Sequence, residues 1–327
     1  MKFVIADATT DMAVILYNDI LNDNNFYIID KNKLYKNRLI NKICLYNISL
    51  RKNFKRKMPL KMFFYKQIFK GLRDLDLCFY FGTSWYDPDL IKLLKKMYPS
   101  AKFVLNFHDT VESKLNRFPY MDINQLKTEF NLIYTYDFED SQEYGFNFIP
   151  DMYSRLNEKQ IPLYPKYDVV FVGAAKDRLS DIIKAFEAIT SAGCTCWFYI
   201  VGAKDDEKKH EDKIVYSNNY LPFSEVVGRQ INANCILELA QRGSDEPTLR
   251  FWDAVMYNKK LISNCKLISN YKYYNPSFVQ LITDTSSIDI DFITREIEVD
   301  YKYDGDVSPK KVFETIEKDL NKKRENS

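Results

Sequence analysis

No stretch of this chain approaches 18 consecutive apolar residues, so the sequence offers no candidate for a membrane-crossing helix. Histidine is scarce: only His108 and His210 occur, and the one close cysteine pair is the CxC of Cys194 and Cys196. With no second cysteine pair nearby, a structural zinc site and any other resident metal are not expected. Neither GxGxxG nor GxxxxGK is present, which argues against dehydrogenases and P-loop ATPases. A secretory leader is not expected either. Lys2-Phe3-Val4-Ile5-Ala6 reads as an immediate first strand, and Asp7 and Asp11 interrupt its apolar run. The six cysteines are scattered through apolar segments, which suits free thiols in a reducing compartment and a cytoplasmic protein. Acid, finally, is absent from one long tract. Between Lys31 and Arg73 there are 14 Lys/Arg and no Asp or Glu.

What is present is ordinary globular material. Hydrophobic residues are 46% and charged residues 28% of 327, a length that fits two domains of about 150 residues each. Residues 1–160 carry 24 Lys/Arg against 19 Asp/Glu, and the remainder 23 against 26. In the first half, strands are expected at 2–6, 26–29, 75–81, 102–107 and 132–136, with helices near 12–21, 60–70 and 88–97. Prolines at 150, 162 and 165 mark a boundary, after which the alternation restarts with a clean buried-strand run at 167–172. Strands at 197–201, 214–216, 235–239 and 260–263 follow, with helices at 179–191, 222–232, 248–257 and 307–320 and a frayed tail at 321–327. Strands separated by crossover helices predict parallel sheets, with ligands beyond the strands' carboxyl ends. The first half places Thr83, Ser84, His108, Asp109 and Asp137 at such ends.

The strongest local signal runs from Gln241 to Asp253. A polar turn containing Gly243 follows a buried strand, and Pro247 and Thr248 open a helix whose free N–H groups and dipole favour an anion. Arg250 adds a bidentate phosphate donor on that turn. Asp253, three residues on, shares its face and can accept from a ribose hydroxyl pair. The competing reading is a capped helix with a surface Arg–Asp pair. Gly173, Lys176 and Arg178, after the strand at 167–172, form a weaker phosphate motif at the same sheet edge. His108 and Asp109 are the base candidates: a histidine titrates near 6.5, and Asp109 can deprotonate a sugar hydroxyl. His210 sits in a charged loop and is expected to be solvent-exposed. Asp74 and Asp76 have the letters of a DxD but begin a strand instead of ending one. The basic tract 31–73, interleaved with Phe54, Phe63, Phe64, Tyr65 and Phe69, fits peripheral contact with an anionic membrane surface. A nucleic-acid partner is not expected, because no reader motif accompanies it.

The sequence resembles bacterial glycosyltransferases of capsule, exopolysaccharide and lipopolysaccharide assembly. The similar segments are Tyr134–Asp140 with Tyr144-Gly145, Tyr167–Gly173 with Arg178, Glu238–Gly243 with Thr248-Leu249-Arg250, and Lys260–Asn264 with Tyr274-Asn275-Pro276. The resemblance implies an α/β chain of GT-B architecture: two Rossmann-like parallel-sheet domains facing across a cleft, with a C-terminal helix crossing back. It implies an acceptor-binding domain over 1–155, a nucleotide-sugar domain over 156–306, and a closing helix with frayed tail over 307–327. By resemblance Arg178 and Arg250 hold the donor diphosphate, Thr248 offers it hydroxyl and backbone donors, and Asp253 binds the ribose. Lys176, Gly173, Gly243 and Asp245 complete the donor site. The two glutamates with seven residues between them in many retaining relatives are replaced by Asp245 and Asp253. Asp109 stands where inverting relatives place a base, which favours inversion.

The expected reaction moves a sugar from a nucleoside diphosphate sugar, UDP- or GDP-linked, to a glycan or lipid-linked oligosaccharide, without a metal or further cofactor. An epimerase-like enzyme of the same fold, a noncatalytic carbohydrate- or partner-binding subunit, and a nucleic-acid-binding protein are the alternatives. The sequence leaves the oligomeric state open.

Overall fold

A computed structural model describes residues 1–6, 16–30, 34–49, 60–72, 76–82, 87–156, 159, 161–241 and 246–325, without the side chains of 47–49 and 324–325. Gly243 and Asp245 of the expected donor site lie outside the described residues, as do Thr83, Ser84, Asp74, much of the 12–21 helix and the middle of the basic tract. The chain divides into two compact units, Met1–Ser154 with Val307–Ser327, and Arg155–Asp306.

Unit 1 is built on six parallel strands: β1 (Lys2–Ile5), β2 (Phe26–Ile28), β3 (Leu77–Gly82), β4 (Lys102–Phe107), β5 (Leu132–Thr135) and β6 (Asn147–Phe148), in the order β2-β1-β3-β4-β5-β6. The described helices between them are α1 (Arg38–Ser49), α2 (Lys61–Phe69), α3 (Pro88–Met97), α4 (Val111–Arg117), α5 (Ile123–Glu129) and α6 (Phe138–Tyr144). Every residue of β3 is buried, as expected of a parallel strand covered on both faces. Capping explains several helix starts. Asp87 accepts from the Asp89 amide with Pro88 at the first helical position of α3, and Asp137 accepts from the Asp140 amide to open α6. Asp137, expected at a ligand crevice, is therefore a capping residue. Gly145 ends α6 with φ 64°, a left-handed position that glycine adopts freely.

Unit 2 repeats the plan. Its elements are β7 (Tyr167–Ala174), α7 (Leu179–Ser191), β8 (Cys196–Val201), β9 (Val215–Ser217), α8 (Phe223–Ile231), β10 (Ala233–Glu238), α9 (Leu249–Met256), β11 (Lys260–Ser263), β12 (Val279–Leu281) and α10 (Ile290–Thr294). The parallel order is β12-β11-β10-β7-β8-β9. From β7 the chain winds outward through β8 and β9, then returns to β10 beside β7 and winds the other way. The sheet thus reverses direction between β7 and β10, which places the ligand crevice of such a fold at their carboxyl ends. In unit 1 the equivalent reversal lies between β1 and β3, and the segments after both strands fall outside the described residues.

The last helix, α11 (Pro309–Glu325), returns to unit 1. Phe313, Ile316 and Leu320 are buried against Phe3, Tyr80, Val104 and Tyr134, with the Phe313 ring 4.7 Å from Phe3 and 5.0 Å from Tyr80. It outruns the expected end at 320 because its last turns are tethered: Tyr134 donates to Asp319 at 2.8 Å, and Lys323 Nζ to the Asn131 carbonyl at 2.8 Å. Burial pushes the Cys235 and Cys265 thiols up to about 12, so both stay protonated and unreactive at neutral pH. Among the described residues no helix is long and apolar enough to cross a membrane.

Candidate functional site

The carboxyl ends of β7 and β10 are laced together by two arginines, each reaching across to the other strand's end. Arg178, in the turn after β7, donates from Nε to the Ala174 carbonyl at 3.2 Å and from Nη1 to the Leu239 carbonyl beyond β10. Arg250, in the first turn of α9, donates from Nη2 back to the Val172 carbonyl of β7, and from Nη1 to Thr248 Oγ1 at 3.3 Å. A guanidinium has five N–H donors, so these bonds fix each fork and leave others to spare. Arg178 Nη2 makes no hydrogen bond among the described residues, and Arg250 Nε is buried without a partner. Neither arginine forms a salt bridge among the described residues.

Gly173 is the point on which they converge. A Cβ built there would stand 3.1 Å from Arg250 Nη2, 3.2 Å from Arg178 Nη2 and 3.0 Å from the tip of Phe171, whose ring lies under both guanidiniums. Two like charges held this close in a half-buried place repel each other. Burial, and then the charge of Arg250, push Arg178 down to about 10 from its usual 12.5. Burial lowers Arg250 too, partly offset by Glu238 and Asp253. The arrangement favours an anion. Gly173→Ala should push the two forks aside, costing about 1 kcal/mol of stability while weakening anion binding about tenfold. Melting temperature with and without pyrophosphate measures both, and an unchanged pyrophosphate shift would remove Gly173 from the site.

Beneath the arginines lies a carboxylate that motif reasoning left out of the site. Glu238 ends β10 with no exposed surface. Its Oε1 accepts from the Thr248 amide at 2.8 Å and from the Thr248 hydroxyl, and its Oε2 accepts from Ser263 Oγ at 2.6 Å. Ser263 Oγ in turn accepts from the Cys265 amide at 3.0 Å. A signal for it was available, since Cys235-Ile236-Leu237-Glu238 is a buried apolar run that finishes on an acid. Both donors of Thr248, expected to face a phosphate, are turned to Glu238 in this structure. Asp253, expected at a ribose, is 1% exposed, and its charge acts on Arg250. Lys176 has φ 44° and turns outward, lining a separate surface groove with Glu187 and Lys209.

In unit 1, His108 follows β4 in a polar chain. Its Nδ1 is 3.1 Å from Asp151 Oδ1, and its Nε2 is 3.3 Å from the Tyr80 hydroxyl, which accepts from Asn106 Nδ2 at 2.8 Å. A proton on Nδ1 facing Asp151 leaves Nε2 as the accepting nitrogen. Asp109 takes a different course, with Oδ2 2.8 Å from the ammonium of Lys114, which is itself almost buried. Asp151 and Tyr80 were not singled out from sequence. His210, expected to be solvent-exposed, is partly covered: its Nε2 lies 2.7 Å from Glu187 Oε1, and its ring packs on Phe186.

The chain matches no protein-family model and no curated protein. Solved structures do match it. A trehalose-6-phosphate synthase, OtsA, aligns over 98% of this chain and 99% of that chain, with TM-score 0.58 and 11% identity. The apo form of OtsA aligns over 90% of both chains with TM-score 0.50 and 11% identity. Accessory secretory proteins 1, 2 and 3 of Streptococcus pneumoniae give TM-score 0.51 and 11% identity over 81% of this chain and 57% of that one. The fold is GT-B. At this identity the likeness concerns the fold alone. Within the GT-B chain the local case for a site is the one made by Arg178, Arg250 and Gly173.

Proposed function

We propose that this GT-B chain is a glycosyltransferase that takes a sugar from a nucleoside diphosphate sugar, with the donor diphosphate on Arg178 and Arg250. The observation carrying the reading is the convergence of two guanidiniums at Gly173, without salt-bridge partners among the described residues, where the sheet reverses direction. In such a transfer the bond from the anomeric carbon to the diphosphate oxygen breaks as the acceptor hydroxyl bonds to that carbon. The hydroxyl proton passes to a base, and the nucleoside diphosphate leaves with charge that the arginines stabilise. The donor is read as UDP- or GDP-linked. The acceptor is read as a glycan or lipid-linked oligosaccharide, of the kind used in capsule or lipopolysaccharide assembly, on the strength of the sequence resemblance.

Calorimetry against UDP, GDP, ADP and dTDP tests the donor site. Binding of one or more is expected, and failure of all four would sink the reading. For the base, the structure favours His108 over Asp109. Asp151 orients the imidazole, and an acceptor hydroxyl would have only to take the place of the Tyr80 hydroxyl, 3.3 Å from Nε2, whereas a proton arriving on Asp109 would neutralise its ion pair with Lys114. His108→Ala should cut transfer by about 10²–10⁴-fold and Asp109→Asn by much less. The reverse ranking in a transfer assay would return the role to Asp109, and full turnover in both would reject both.

A further inference from the structure

Two helices of unit 1 carry large apolar side chains on their outer faces. Leu39 and Ile40 of α1 are exposed, Leu39 at 67%, as are Leu60, Met62 and Phe63 at the start of α2, Phe63 at 56%. The core does not need them, because these helices already bury Cys44, Phe64, Tyr65 and Phe69 against Phe79 and Phe81. The two helices pack on each other, so their outer faces belong to one side of the unit.

Lys36, Arg38, Lys42, Lys66 and Lys70 stand exposed among these apolar residues, and none has an ion pair among the described residues. Lys61 is the exception, drawn inward to Asp87 and Asp89. No Asp or Glu occurs between Asp30 and Asp74 to neutralise the others. A face kept wet for solubility would mix signs and would not hold a leucine two-thirds exposed. Nucleic acid would satisfy the cations and leave the aliphatic side chains in water. An apolar protein partner would do the opposite. A bilayer with anionic headgroups accepts both, with apolar side chains at the acyl boundary and lysines on lipid phosphates.

We infer that α1 and α2 form a docking surface for an anionic lipid bilayer, with Leu39, Ile40, Met62 and Phe63 inserted and the flanking lysines and arginine on headgroup phosphates. This does not rest on the sugar-transfer reading. The test is co-sedimentation of the full chain with phosphatidylcholine vesicles with and without phosphatidylglycerol. Binding is expected only with phosphatidylglycerol, and it should weaken as salt rises. Leu39→Glu with Phe63→Glu should lower the partition coefficient about tenfold or more, and Lys66→Ala with Lys70→Ala roughly fivefold per cation. Circular dichroism and thermal melts on each variant check that it is folded. If the glutamate pair melts early, Leu39→Ser with Phe63→Ser replaces it with the same expected loss. No binding to the anionic vesicles, equal binding to phosphatidylcholine alone, or binding indifferent to these substitutions would each overturn the inference. Salt-sensitive RNA retention, or dimerisation through the patch, without vesicle binding would overturn it as well.

Discussion

Arg250→Ala is expected to weaken nucleoside diphosphate binding by about 30- to 100-fold. A charge-assisted hydrogen bond contributes about 1.5–3 kcal/mol when its partner is left unpaired, and each 1.4 kcal/mol is tenfold in affinity. Arg178, held separately by the Ala174 and Leu239 carbonyls, is left as the remaining guanidinium. Arg250→Lys should recover little, since a point-charge ammonium cannot hold that carbonyl and a phosphate in fixed geometry at once. The pH dependence follows from the crowding of the two arginines. Arg178 is pushed down to about 10, and only its protonated form attracts an anion. Affinity should therefore be level near neutrality and fall as pH rises through about 10. The apo site carries an electrostatic penalty at neutral pH that a bound anion relieves, so nucleotide should raise the melting temperature. Calorimetry on the wild type and both variants reads the affinities. Arg250→Ala binding within threefold of wild type would remove Arg250 from the site.

Much of the scaffold was legible in the sequence because parallel strands buried on both faces leave continuous apolar runs. Lys102–Phe107, Lys260–Ser263 and the helix Leu179–Ser191 fell where the pattern placed them. Helix α1 was not anticipated, since its buried side is narrow and cations and exposed apolar residues dominate its composition. The short helices after β4 and β5 escaped for a related reason. They start from caps at Thr110, Asp122 and Asp137, which sequence alone could equally assign to a crevice. For the site, residue type and strand-end position pointed to Arg178, Arg250 and Gly173, which the fold brings together. They could not show how Thr248 spends its donors, because its acceptor, Glu238, lies ten residues earlier across a polar turn. Nor could they show which way Lys176 faces. It is exposed and has a left-handed φ of 44°, while Arg178, two residues on, is buried.

Glu238 is where the largest stability effect is expected. Glu238→Ala strands the Thr248 amide, the Thr248 hydroxyl and the Ser263 hydroxyl, and removes a negative charge that acts on both guanidiniums. Breaking a buried charged network from one side costs about 3–5 kcal/mol. At roughly 2–4 °C per kcal/mol for a unit of this size, its melting temperature should fall on the order of 10 °C. Glu238→Gln should cost less, about 1–2 kcal/mol. The amide keeps one acceptor oxygen for Thr248, and Ser263 can rotate its hydroxyl to accept from the amide nitrogen. It nevertheless removes the charge, leaving Arg178 and Arg250 to repel each other unrelieved. A diphosphate supplies negative charge at the same place, so the rise in melting temperature on adding nucleotide should be larger in Glu238→Gln than in wild type. Thermal melts of both variants, with and without nucleotide, separate the two roles. Melting of Glu238→Ala within 2 °C of wild type would refute the hub. An unchanged nucleotide increment in Glu238→Gln would leave the carboxylate as a brace for the turn, with no electrostatic hold on the anion site above it.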